Sequence, residues 1–160
     1  MLISSQQLKQ ICTTISTERA AWMADLLNEI CPQYGLDTLD EFHEFLANVV
    51  QESGEFSHKV ENMNYTTAAR IRSIWPSRFP TIGHALPYVR QPQKLANFVY
   101  GGRMGNNQPG DGWLFRGGGF IGLTGREVYT KYSQYIKQPV DKVADLIRTS
   151  DKYALDSACW

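Results

Sequence analysis

The chain has 160 residues, 42% of them hydrophobic and 20% charged, with a formal net charge of zero. This suits one domain with one core, and no apolar run approaches the roughly 20 residues of a membrane helix. The charge is uneven: residues 1–58 carry two basic and nine acidic side chains, residues 59–116 eight basic and two acidic. A basic middle section either favours an anionic polymer or attracts the acidic section within the fold.

Met1-Leu-Ile-Ser-Ser-Gln-Gln7 lacks the basic and apolar regions of a secretory signal. The expectation is synthesis in the cytoplasm and no membrane insertion. Cys12, Cys31 and Cys159 are odd in number and widely spaced. They read as free or buried thiols, neither a disulfide framework nor a metal site. Leu8, Ile11, Cys12 and Ile15 form a short helical stripe. Thr17 is placed to cap a second helix with Trp22, Met23, Leu26, Leu27 and Ile30 inward. Cys31-Pro32 ends it.

Thr38-Leu-Asp-Glu41 reads as a capping box opening the best-patterned helix. Phe42, Phe45, Leu46, Val49 and Val50 recur at helical spacing. Glu52 falls at the rim of that stripe, beside Phe45 and partly desolvated, while Glu44 and Glu55 turn towards solvent. The chain leaves through Gly54 and meets a second carboxylate, Glu61, nine positions after Glu52. Two carboxylates on either side of a chain reversal can face each other across a gap, as general acid/base cleavage of a sugar link requires.

Thr66 or Thr67 starts a further helix that ends at Pro76, and Phe79–Gly83 reads as a turn. Pro92 begins a helix with Leu95, Phe98 and Val99 that stops at Gly101-Gly102. Ten of the 13 glycines then fall between Gly101 and Gly125, a short hairpin or a loop that approaches a ligand closely. Trp113 lies in this loop and is the candidate sugar platform. Thr124-Gly-Arg-Glu127 reads as a second capping box, before a helix with Val128, Tyr129, Tyr132 and Ile136. Two short helices follow. His43, His58 and His84 have no metal spacing and read as surface or satisfied histidines. No metal or cofactor is expected.

Laid out in this way, the chain resembles the family 19 glycoside hydrolases, most of all their phage and bacterial endolysin branch. Phe45–Phe56 resembles the helix that ends in the catalytic acid, and Glu61-Asn-Met-Asn-Tyr65 the segment with the second carboxylate. Val99–Asn106 and Gly110–Arg116 resemble the loop before the cleft floor, and Gly117–Arg126 the floor itself. The resemblance implies a mainly α, lysozyme-like fold of two lobes with a central cleft and a short glycine-rich loop or hairpin. It implies a single catalytic domain over residues 1–160. Trp160 ends the chain within an apolar pattern, where relatives usually continue, so the domain reads as truncated, a fragment or a naturally short form.

The resemblance also implies inverting hydrolysis of β-1,4 glycosidic bonds. Glu52 is the implied general acid, Glu61 the general base, and Thr124 helps to hold the attacking water. Gln51, Asn64, Tyr65, Trp113 and Arg116 are the expected substrate-binding residues. Gln51 stands where many relatives have His, and Gly118 and Gly122 where the floor usually carries Arg and Gln. The expected partner is peptidoglycan, with chitin the alternative, acted on by a monomer that is released to the cell wall and needs no nucleic acid. A glycan-binding relative without turnover is the reading from another class, and a lytic transglycosylase a third.

Overall fold

Local chemistry sets most helix boundaries. A computed structural model describes residues 1–160 and contains ten α-helices. They are α1 (Ser5–Ile11), α2 (Thr17–Ile30), α3 (Leu39–Ser53), α4 (Ala68–Ile74), α5 (Ile82–Ala85), α6 (Pro92–Tyr100), α7 (Asp111–Leu114), α8 (Arg126–Tyr135), α9 (Val140–Thr149) and α10 (Asp151–Cys159). Extended pairing is confined to two isolated antiparallel bridges, Val60 with Gly118 and Gly118 with Leu123. The molecule is mainly helical and lysozyme-like, as expected.

The stripe on α3 packs as its spacing directs, with Phe42, Leu46 and Val49 buried. Each such side chain contributes about 1.5–3 kcal/mol by leaving water. Several caps differ from expectation. Ser16, whose backbone is extended, caps α2 in place of Thr17 and accepts from the Arg19 N–H. Thr38 caps α3, but its hydroxyl also binds the Glu41 carboxylate, which replaces the backbone half of a capping box. Trp22 is 51% exposed instead of inward, because its indole N–H reaches Asp151 on α10. Phe79–Gly83 is not all turn, since Thr81 caps the short α5.

Three clusters make the interior. Eighteen buried residues, mainly from α1–α3, close on Phe56, Phe120, Ala154 and Leu155. Seven more gather around α8 and α9. Helix α10 packs on α2 and α9, so these two clusters form one lobe. Eight residues between Met63 and Val99, with Trp113 against them, form the second lobe around α4–α6. Two connecting segments, 54–63 and 115–125, pass between the lobes. An edge-to-face pair, Phe56 on Phe120 at 5.2 Å, locks one against the other.

Ion pairing answers the question of charge. Asp151 holds both Arg19 and Lys59, and Asp111 holds Arg126. None of the six ion pairs joins the acidic section 1–58 to the basic section 59–116. Arg70, Arg72, Arg90, Lys94 and Arg103 of the second lobe are exposed and have no acidic partner. The free thiols of Cys31 and Cys159 share a hydrogen bond at 3.8 Å, with no disulfide between them, and Cys12 is buried.

Candidate active site

Glu52 sits in the last turn of α3, and Gly54 ends that helix in the left-handed region at φ 57°. Glu55 and Phe56 stay left-handed too, at φ 58° and 60°. Such a run is costly for residues with a Cβ, about 1 kcal/mol each, and needs outside support. Support comes from full burial of Phe56 and from Glu55, whose carboxylate accepts the Thr14 N–H at 2.7 Å. Glu55 is therefore a structural anchor rather than a solvated charge; its hydrogen bonds from the Thr14 hydroxyl and amide hold its carboxyl below the usual range. The Ser53 carbonyl accepts from the His58 N–H at 2.8 Å and lies 3.2 Å from His58 Nδ1. This tight reversal returns the chain towards α3 and brings Glu61 to the same cavity as Glu52.

That cavity is about 140 Å³ and is lined by Glu52, His58, Val60, Glu61, Gly117, Gly119, Phe120, Ile121 and Gly122. It exceeds the roughly 10–15 Å³ that holds one water. The floor is placed by backbone bonds. Glu61 N–H donates to the Gly117 carbonyl at 2.9 Å, Gly119 N–H to Lys59 at 3.0 Å, and Gly118 exchanges bonds with Leu123. The glycine stretch is thus neither a full hairpin nor a free loop, but a bridged turn laid across segment 59–61. Gly117 permits the closeness: a Cβ there would stand 3.0 Å from Glu61 Cβ.

The two carboxylates differ in setting. Glu61 is half-buried, and each of its oxygens takes a donor: Tyr100 O–H to Oε1 at 2.7 Å, Gly117 N–H to Oε2 at 3.1 Å. Glu52 is exposed, not desolvated at the rim, because the stripe buries Phe42, Leu46 and Val49 while Phe45 beside it stays partly open. It lines the cavity and takes part in none of the six ion pairs.

Other expected residues fall around this centre. Thr124 does not cap α8. Gly125, at φ 96°, takes that place, and the Thr124 hydroxyl donates at 2.7 Å to the carbonyl of Gly122, which lines the cavity, while Thr124 itself lies outside the lining. Glu127 pairs with Lys131 instead of closing a box. Tyr65 is half-buried, edge-on to Trp75 at 5.5 Å; burial first, and then the Glu61 charge, push its phenol up. Gln51 and Asn64 are exposed and outside the cavity lining. Trp113 and Arg116 stack on each other, the guanidinium 3.6 Å from the ring centre, also outside the lining. Burial and the neighbouring Arg148 cation lower the Arg116 pKa, while the Glu61 charge opposes them.

Sequence reasoning missed three contributors: Tyr100, His58 as a lining residue, and the Gly117 amide. Only the position of His58 between the two glutamates hinted at its place. The loop before the floor is held by Asn106, which accepts from Arg126 N–H and donates to Tyr100, and by the forked Asp111–Arg126 pair.

A two-lobed helical frame that gathers two glutamates over a glycine floor defines a lysozyme-like domain. In sequence, the chain is 34% identical over 99 residues to a Haemophilus influenzae (strain ATCC 51907 / DSM 11121 / KW20 / Rd) protein described as "Glycosyl hydrolase family 19 domain-containing protein". The match takes in 61% of this chain and 49% of the relative, so the chain spans about half the length of the curated relative it matches. No family model matches.

Proposed function

We propose that the protein is a peptidoglycan-degrading glycoside hydrolase of the endolysin kind, cutting β-1,4 glycosidic bonds with inversion. The observation that carries this reading is the cavity shared by Glu52 and Glu61. Glu52, exposed at its edge, is free to meet a glycosidic oxygen and give it a proton. Glu61, with one donor on each oxygen, keeps lone pairs for a water on the opposite face of the sugar. The Thr124 oxygen, beside the Gly122 carbonyl, is a second acceptor for that water. The unpaired cations of the second lobe favour a substrate with carboxylates, and stem peptides supply them. Release from the cytoplasm to the cell wall belongs to the same proposal.

Chitin is the second reading, and one observation favours it: no lysine or arginine lines the cavity itself. Purified peptidoglycan and soluble chitin oligomers, compared at two salt concentrations, separate the two. Cleavage of peptidoglycan that falls as salt rises is expected, since screening acts over about 8 Å at 0.15 M. Faster, salt-independent cleavage of chitin would overturn the choice. Mass spectrometry of the products tests the reaction: new reducing ends mean hydrolysis, anhydro ends a lytic transglycosylase, and no new ends a binding protein. Glu52→Gln should keep the fold and lose about 10²–10⁴-fold in rate. Wild-type clearance of cell walls by this variant would refute the acid assignment.

A further inference from the structure

We propose that Tyr100 is a positioning residue for Glu61, setting the carboxylate's orientation jointly with the Gly117 amide. The inference rests on Glu61 being the general base. Tyr100 is the last residue of α6, and its ring packs against the core of the second lobe. Its hydroxyl leaves that lobe and donates to Glu61 Oε1 at 2.7 Å, across 39 residues of sequence. Gly117 N–H donates to Oε2 at 3.1 Å, while Glu61 N–H returns a bond to the Gly117 carbonyl. The carboxylate is thus held from two directions, by a side chain of the second lobe and the backbone of the floor segment.

A glutamate free to turn about its side-chain torsions spends little time aimed at one water. Two donors on different oxygens fix the carboxylate plane and leave each oxygen further acceptor capacity. Tyr100 stays a donor because burial, its bond to Glu61 and the Glu61 charge all push its phenol far above the ordinary range. The backbone around it is secured as well. Asn106 donates to the Tyr100 carbonyl at 3.0 Å and accepts from Arg126, so the loop before the floor fixes where Tyr100 ends. A buried tyrosine that merely needs an acceptor would be equally served by a backbone carbonyl, as Tyr129 is by Arg116.

The test is a double-mutant cycle on solubilised peptidoglycan strands with Tyr100→Phe, Glu61→Gln and the pair, each checked by thermal unfolding. Tyr100→Phe keeps the ring and removes only the donor. Its kcat should fall about 10–100-fold, the range for one charge-assisted hydrogen bond, with KM within about twofold. In the Glu61→Gln background the same change should cost almost nothing further, because the effect passes through the carboxylate. A wild-type kcat for Tyr100→Phe, a change confined to KM, or an equal loss in both backgrounds would overturn the inference while leaving Glu61 as base. Full activity of Glu61→Gln would overturn the base assignment, and the positioning role with it.

Discussion

Substituting Gly118 by alanine separates two accounts of the glycine floor. The resemblance places an arginine here in relatives, so its absence suggests a lost substrate contact. The structure instead leaves no room for any side chain. A Cβ at Gly118 would stand 2.5 Å from Tyr129 Oη, 3.1 Å from Ile147 Cδ1 and 3.2 Å from Arg148 Cγ. Tyr129 cannot yield easily: it is fully buried, and its hydroxyl donates to the Arg116 carbonyl at 2.9 Å. Overpacking of this kind costs about 1–3 kcal/mol. Displacing the Tyr129 hydroxyl from its acceptor adds about 1–3 kcal/mol. Against this, losing a glycine from the unfolded chain returns up to about 1 kcal/mol. The net loss is about 1–6 kcal/mol, and its midpoint of about 3.5 kcal/mol corresponds to roughly 7–14 °C in Tm for a domain of this size. Gly122 supplies the contrast. It has open space but φ of 69°, so Gly122→Ala meets only backbone strain of about 1 kcal/mol. Thermal and urea unfolding followed by circular dichroism measure both. A Tm for Gly118→Ala within 2–3 °C of wild type, about the size of one kcal/mol, would refute the steric argument. So would a larger loss at Gly122 than at Gly118.

Asp151 is pulled down to about pKa 2, because Arg19 and Lys59 outweigh the burial that alone would raise it. Its stabilising contribution is therefore complete above about pH 4 and fades as pH falls towards 2. Tm measured over that window should drop more steeply in wild type than in Asp151→Asn, which starts lower by about 1–3 kcal/mol; parallel curves would count against it. Asp111→Asn removes the charge and one oxygen of the forked pair with Arg126, leaving a single oxygen to serve Arg126 Nε and the Gln108 N–H. It should cost about 2–4 kcal/mol and speed proteolytic cutting within residues 101–110, so unchanged digestion there would argue that the loop is held otherwise.

The parts legible in the sequence are those set by near neighbours. The α3 stripe, its stop at Gly54 and the exit of Glu52 follow from helical periodicity and one left-handed residue. The stops at Cys31-Pro32 and after Tyr100, and the two short final helices, follow in the same way. Caps were less legible, because several hydroxyls within two positions offer equal chemistry. Backbone direction then chooses, as with Ser16 over Thr17; at α8 the cap falls on Gly125, which offers no side chain at all.

Tertiary structure alone decided what meets Glu61. The bond from Gly117 spans 56 residues and that from Tyr100 spans 39, distances over which no periodic pattern carries information. The sequence singles out no role for Tyr100, whose hydroxyl only the fold brings to the carboxylate. The exposure of Glu52 was decided similarly, by which residues of α3 its lobe had space to bury. Gly118 shows the same division: its identity is a local fact, but its meaning depends on Tyr129, Ile147 and Arg148 filling the volume behind it. Short-range hydrogen bonding writes helices into the chain, whereas the partners of a half-buried carboxylate depend on packing between segments remote in sequence.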